Sequence, residues 1–471
     1  RPPNGIGAPG DLRGRRISRN GGFLMRFVFL FVPAAIALAQ GGPAAEPALP
    51  LSMKRAVEIA LAADGSPKVT LAEESIREAE AQKNEARSAL LPDIESSIND
   101  QRETNNLRAY GFNNAAFPFL PPGVSFPSIV GPFSLFDARA TVSQTVFDFS
   151  VLKRFQQSKV NVEAVKSEFD ATKNQVSDQV ARAYLTALRA EAALETAHAN
   201  VDLSQALRTL SDQQREAGTG TGLDVVRADV QLANDRQHLV VAENDRRRAG
   251  LNLLRVIGLK LDANVVLTDK LDYKAADVGS LDAALADARK TRAELKAQRE
   301  HERSANLTYT SIRAERYPSV SAQANYGAIG SDPADASGTY LFGVSVRVPI
   351  FDGGKRDARR TQSLWQYRQE QTRTHDLEQQ VELDVRLAFD SITSAATEVS
   401  TAREGVDLSE KELAQAKRRY TGGVANSLEV TDAQTRLDRA RDNLIQALYD
   451  YNVARIDLAT ATGRIREYVN Q

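Results

Sequence analysis

Apolar and polar residues alternate in four short stretches of this chain, and apolar residues recur at steps of three and four in the long stretches between them. In "YLFGVSVRVPI", Phe342, Val344, Val346 and Val348 fall on one face and Gly343, Ser345 and Arg347 on the other, the period-two pattern of a strand. "SVSAQANY" alternates through Val320, Ala322, Ala324 and Tyr326, and "DARATVSQTV" through Ala138, Ala140, Val142 and Val146. "DIESSIND", bounded by Pro92, is the weakest of the four predicted strands. Each is about as long as a tilted membrane strand, ~9 to 11 residues.

The helical stretches are longer. Residues 150–217 contain neither glycine nor proline, and at ~1.5 Å per residue such a helix runs roughly 100 Å. Val162, Val165, Phe169, Val176, Val180, Ala183, Ala187, Ala190, Leu194, Ala197 and Val201 form a narrow, alanine-rich seam, which predicts helices packed closely side by side. A second such helix is predicted over 355–420, with Gly405 as its one interior glycine. An ordinary coiled-coil rod would also give these seams, but it has no use for alternating strands.

The pattern is written twice. A shift of 205 residues lays Val201–Ser204 on Val406–Ser409, both "VDLS", and lays "LDVVRADVQL" from Leu223 on "LEVTDAQTRL" from Leu428. The same shift pairs Val180 with Val385, Ala183 with Ala388 and Gly258 with Gly463. Upstream, "LLPDIESSIN" from Leu90 meets "RYPSVSAQAN" from Arg316 at a shift of 226, because the first copy carries an insert over about 101–136. Such a register marks an internal structural repeat. Its predicted order in each copy is helix, strand, loop, strand, very long helix, glycine-containing turn, helix. The copies span 40–258 and 280–471, joined by a connector at 259–279.

The N-terminus changes the picture of where the chain works. "LMRFVFLFVPAAIALAQ" has Arg26, an apolar run from Phe27 and a small-x-small site at Ala37–Ala39, as a secretory signal does. Residues 25–39 are therefore expected to be a signal peptide starting at Met25, with 1–24 as upstream read-through. A membrane anchor is the competing reading, disfavoured because the run falls short of the ~20 residues a span needs. Without residues 1–39 the charge balance is 54 basic against 60 acidic residues, which does not suit nucleic-acid binding. There is no cysteine, so disulfides, thiolate metal sites and cysteine nucleophiles are excluded. The four histidines, His198, His238, His301 and His375, are scattered and form no HExxH pattern, and no GxSxG elbow occurs. No enzyme activity, cofactor or metal is expected.

If the strands cross a membrane, four cannot close a barrel, and open edges are not tolerated in lipid. Two chains would give eight strands, a barrel filled by its own side chains. Three would give twelve and leave a lumen, which suits the polar inner faces.

The stretch "GTGTGLDVV" from Gly218 invites a phosphate-loop reading. It follows a long helix rather than a strand, and Leu223 stands where G-x-G-x-x-G needs its third glycine. Its twin, "TGGVANSLEV", keeps Gly423 but has Ala425 and Ser427 against Gly220 and Gly222. The glycines are better explained as reversing the chain between two helices.

Pro92 and Pro318 before the first strand of each copy, "TVFDFS" and "PIFDGGKR" at the strand-to-helix junctions, and the two tip turns occur in order and at matched spacing. In these motifs the chain, from about Leu51 to Tyr468, resembles the TolC-like outer-membrane efflux proteins. The resemblance implies an α+β membrane protein: a homotrimer with a 12-stranded β-barrel, four strands per chain, in the outer membrane of a Gram-negative bacterium. A long α-helical barrel with coiled-coil hairpins would continue it through the periplasm. It further implies partnership with a periplasmic adaptor (membrane fusion protein) and an inner-membrane pump, contact with outer-membrane lipid, and export of drugs, small toxic molecules or proteins. Carried over by position, Asp224, Glu429 and Asp432 would form acidic rings at the periplasmic gate, and Tyr420 would be a gating tyrosine. A partner arginine of some members falls on Ala425, which removes any latch of that type. Gly218, Thr219, Gly220, Thr221, Gly222, Gly422 and Gly423 would form the tip turns where the adaptor docks. A periplasmic coiled-coil adaptor or scaffold without a barrel is the alternative, and it leaves the strand pairs unexplained. The Phe-, Pro- and Gly-rich insert is read as a longer extracellular loop. A poorly ordered insertion and a lid over the barrel mouth remain open.

Overall fold

The computed structural model describes residues 49–62, 65–112, 127–275 and 279–470. The expected signal segment, the read-through and the middle of the insert lie outside the described residues. The chain runs β1 (Leu49–Leu51), α1 (Met53–Leu61), α2 (Pro67–Ser88), β2 (Asp93–Asn106), β3 (Ile129–Phe147), α3 (Phe149–Glu216) and α4 (Gly222–Ile257). It continues through β4 (Val265–Leu267), α5 (Leu281–Thr291), α6 (Ala293–Ala314), β5 (Ser319–Gly330), β6 (Ser337–Arg347), α7 (Lys355–Thr421), α8 (Ser427–Ala461) and α9 (Ile465–Val469). The repeat is plain in this order: α2–β2–β3–α3–α4 answers α6–β5–β6–α7–α8.

One antiparallel sheet holds four strands in the order β2-β3-β5-β6. Its register lines up the alternation read from sequence. Ile94, Val142, Ala324 and Phe342 form one cross-strand row, and Ala140, Tyr326 and Tyr340 form the next. The opposite face carries Glu95, Thr141, Asn325, Gln323 and the Ser321–Ser345 hydroxyl pair, 2.8 Å apart. The apolar face has nothing over it within the chain: Tyr340 is 82% exposed and Phe342 74%. A sheet with one greasy and one polar face fits lipid outside and water inside.

The insert departs from expectation. β2 runs to Asn106 and β3 starts at Ile129, so much of 101–136 is strand rather than loop. A 3-10 turn at Leu107–Tyr110 follows β2. Beyond Ile98 the outward positions become Asp100 and Arg102, so the first hairpin outgrows the apolar band and ends in polar surroundings. The readings of the loop as lid or unstructured insertion fall on residues 113–126, outside the described residues.

α3 holds 68 residues and α7 holds 67, and the sequence explains where each starts. Asp148 caps α3 by accepting from the backbone of Ser150, at 2.8 Å, and Val151, at 3.3 Å. In the second copy Gly353 and Gly354, both at positive φ, separate Asp352 from the helix. Asp352 there holds Arg356 instead, at 2.7 Å. α2 and α6 flank the sheet-proximal half of α3, and α6 also touches α7; α4 and α8 accompany the distal halves of α3 and α7. At mid-length the main core gathers Tyr184, Leu253, Ile257, Ile456 and Ile465 under the parallel β1–β4 pair, and the Tyr184 hydroxyl donates to the Leu51 carbonyl at 2.8 Å. Among the described residues no helix is long and apolar enough to cross a membrane.

A charge placed on the apolar face should block membrane assembly, while the same charge on the polar face should not. Val344→Arg is expected to cost about 2–4 kcal/mol at mid-membrane depth and to abolish heat-resistant oligomers on gels. Gly343→Arg, whose side chain would enter open space, should leave them intact.

Candidate functional site at the paired helical tips

α3 and α7 each end in the same turn. Thr219 N donates to Gln214 O at 2.9 Å across Gly218 (φ +72°), and Val424 N donates to Arg419 O at 3.0 Å across Gly423 (φ +70°). This is the six-to-one bond of a glycine-terminated helix. Only Gly218 and Gly423 use the left-handed conformation. Gly220 is needed for a close approach, since a Cβ there would lie 3.1 Å from Arg215 N, and Gly222 and Gly422 have ordinary φ. The expectation that all the tip glycines supply positive φ is thus narrowed to one in each turn.

The next helices begin on matched caps that carry different chemistry. Thr221 caps α4 in a capping box: Thr221 Oγ1 accepts from Asp224 N at 3.3 Å, and Asp224 Oδ2 accepts from Thr221 N at 3.0 Å. Asn426 caps α8, accepting from Glu429 N at 3.2 Å. Asp224 and Glu429 occupy the same helical position, yet Asp224 is buried and Glu429 is not. The second Asp224 oxygen accepts from Ser427 Oγ of the other hairpin, so its carboxylate clasps the two tips together. Glu429 pairs with Arg419 Nε at 3.0 Å within its own tip. Asp432, one turn along α8, is exposed on the same side.

Tyr420 is buried with Leu207, Leu413, Ala416, Val430, Ala433 and Leu437, between the two hairpins. Its hydroxyl donates to Ser211 Oγ at 3.2 Å, and its carbonyl accepts from Gln214 Nε2 at 3.1 Å. Further along, Gln434 Nε2 donates to Ser204 Oγ at 2.6 Å and to Asp235 Oδ2 at 3.2 Å. A polar ladder therefore ties α8 and the end of α7 to the α3–α4 hairpin. Sequence reasoning found Asp224 and Tyr420 but missed their partners Ser427, Ser211, Ser204, Gln434 and Asp235. A signal was present: Ser204 and Ser211, Asp224 and Gln231, and Ser427 and Gln434 are each seven apart, polar residues at heptad spacing in an otherwise apolar seam.

Burial pushes the Asp224 carboxyl up, but hydrogen bonds from Ser427 and Thr221 and the nearby Arg227 charge outweigh it and hold it below the usual aspartate value. The site contains no nucleophile–base pair, and among the described residues no His/Asp/Glu group could hold a metal. It is a mechanical junction that can be held or released, not a reaction centre.

Comparison with known proteins agrees with this geometry. The family model described as "Outer membrane efflux protein" matches residues 59–259 and 284–464. The toluene efflux pump outer membrane protein TtgF of Pseudomonas putida is 25% identical over 394 residues, covering 80% of this chain and 76% of that protein. The outer membrane protein TolC of Vibrio cholerae is 25% identical over 343 residues, covering 71% and 78%. Among solved structures, the Campylobacter jejuni CmeC outer membrane channel superposes with a TM-score of 0.75 at 16% identity, covering 88% of this chain and 85% of that one. The fold is that of an outer-membrane channel with a helical barrel, and the chain is a channel component rather than an enzyme. It belongs to the outer membrane efflux protein family.

Two substitutions test the clasp. Ser427→Ala should leave the Asp224 carboxylate short of a donor and cost about 1–3 kcal/mol locally, read as faster amide exchange over residues 218–230. The contribution of Asp224 is present above the usual aspartate pKa and lost as pH falls through its depressed value. Exchange at the tip should therefore accelerate below about pH 4, and Asp224→Asn should flatten that response.

Proposed function

We propose that three copies of this chain close one barrel and one tunnel, the outer-membrane conduit of a tripartite export system. The observation that carries this reading is the pair of open edges, β2 and β6, on a sheet with one apolar face. β2, β3, β5 and β6 alternate in direction, so β6 of one copy meets β2 of the next antiparallel, and the ladder continues without a break. Three copies give twelve strands, wide enough for the polar face to line water. The junction of strands and helices supports a lipid boundary there, with Phe147, Phe149 and Tyr317 in edge-to-face contact at 6.0 and 6.2 Å.

At the tips, the free carboxylates supporting an acidic ring are Glu429 and Asp432. Asp224 and Tyr420, already committed to the other hairpin, would hold the ring's supports together. The exposed Leu223, Val424 and Leu428 beside the turns offer an adaptor an apolar grip on small-residue loops. The adaptor in turn would couple the tunnel to an inner-membrane pump. The cargo we assign is small toxic molecules, which is supported by the similarity to TtgF, a protein named for toluene efflux.

Native mass spectrometry in detergent should give three chains per particle; a two-chain particle would sink the twelve-strand reading. In planar bilayers, Glu429→Gln with Asp432→Asn should weaken block by divalent cations roughly tenfold, whereas Asp224→Asn alone should leave the block largely in place. Deleting the gene should sensitise the host to apolar solvents, and unchanged tolerance would count against the assigned cargo.

A further inference from the structure

Beyond the clasp, the seam between α8 and the α3–α4 hairpin opens into a cavity of about 520 Å³ lined by residues of all three helices. At its edge sits Asp438, one turn beyond Gln434 on α8. Its Oδ1 is buried and has no hydrogen-bond partner among the described residues. The neighbouring carboxylate is provided for quite differently. Asp235 accepts from Ser204 Oγ, from Gln434 Nε2 at 3.2 Å and from Gln231 Nε2 at 3.0 Å. Asp235 is thus held as an anion, and Asp438 faces that anion with nothing to donate to its buried oxygen.

The other charged groups around the seam do not rescue it. On α8, Arg441 is committed to Asn200 of α3 at 3.1 Å and to Glu410 of α7 at 3.6 Å. Asp442, exposed, adds a further negative charge, and Arg439 lines the cavity mouth. On α4, His238 faces Asp442, while Asp245, also at the cavity, is 3.7 Å from Arg248. On α3, Arg189 faces Asp442 and lies over the Tyr449 ring at 5.1 Å. A buried carboxylate beside an anion is stable in only one form, the protonated one.

We propose that Asp438 is a proton-operated latch: protonated, it lets α8 close on the α3–α4 hairpin, and ionised, it drives α8 away from Asp235. Protonation removes one of two facing charges and turns an acceptor without a donor into an O–H that can serve the oxygens beside it. Burial, and then the Asp235 charge, push the Asp438 carboxyl up to about 7. In a separated, hydrated seam it would return to the ordinary aspartate range. Closing therefore takes up a proton. The closed-to-separated ratio falls by up to about tenfold per pH unit between those two values and is flat above the higher one. Because the latch lies within one chain, it does not depend on the number of copies in the barrel. It deepens the proposed function by giving the tunnel's helical seam a sensor of periplasmic pH.

The chain has no native cysteine, so spin labels can be placed cleanly on the full-length protein. Labels at Gln237→Cys on α4 and Asn443→Cys on α8, both exposed, would report the seam by pulsed electron resonance. Co-expression with an excess of cysteine-free chain keeps labelled copies apart. Between about pH 5.5 and about pH 8, the long-distance population should grow tenfold or more. Asp438→Asn should hold the short distance at both pH values. Asp235→Asn, which removes the opposing charge, should move the wild-type transition to lower pH. Overturning results are a wild-type distance that does not change over this range, or the same change retained in Asp438→Asn. The copy number measured by native mass would be unaffected by either outcome, so failure of the latch and failure of the trimer are told apart.

Discussion

The constraint on which everything else depends is the unpaired edge. In hydrocarbon each free backbone N–H or C=O costs several kcal/mol, so a spanning sheet must have no ends. This chain folds a sheet with two ends, β2 and β6, and an apolar face that nothing in the chain covers. Its native state is therefore reached only when copies of the same chain supply the missing partners. That requirement is transmitted to the helices. Phe147 ends β3, Asp148 is the cap and Phe149 begins α3, so a single residue separates strand from helix. Once the strands are locked around a barrel, the 68-residue helix that grows from β3 has little freedom in where it points. The sheet is thus an anchor that aims the helices, and the tips at their far end are positioned by hydrogen bonds many turns away.

Much of this was legible in the chain itself, for identifiable reasons. Strand and helix faces could be read because lipid, lumen and neighbouring helix each impose a period on side chains: two for Phe342, Val344 and Val346, and steps of three and four for Val176, Val180 and Ala183. The repeat could be read because both copies meet the same geometric task. The length of the first hairpin was hidden, because past Ile98 both faces of β2 turn polar and the period disappears. The seam was hidden for a different reason. Ser211, Ser427 and Gln434 have no composition that marks them as partners, and only the packing of two hairpins brings residues about 200 positions apart into contact. Asp224 was legible as a cap and as a site residue, but its commitment to Ser427 was not.

The chemistry of the seam suits a joint that must part. A seam filled with leucine would resist opening by about 25 cal/mol for every Å² exposed, and water would offer nothing in return. Hydrogen bonds such as Ser211–Tyr420 and Gln434–Ser204 direct the closed geometry, yet each group can be re-satisfied by water on separation, so the net cost is about 0.5–1.5 kcal/mol apiece. Register is fixed without making the closed state irreversible. The apolar cluster around Tyr420 is confined to the last turns before the tip, where a small hinge movement suffices. Polar rungs occupy the stretch where the helices would travel furthest. Gradation along the seam, from apolar near the turn to polar and finally to the two facing carboxylates, lets a modest force at the tip unzip the pair from one end. That is the mechanical property a gated tunnel of helices requires, and it follows from placing serine, glutamine and aspartate at heptad positions where a permanent coiled coil would carry leucine.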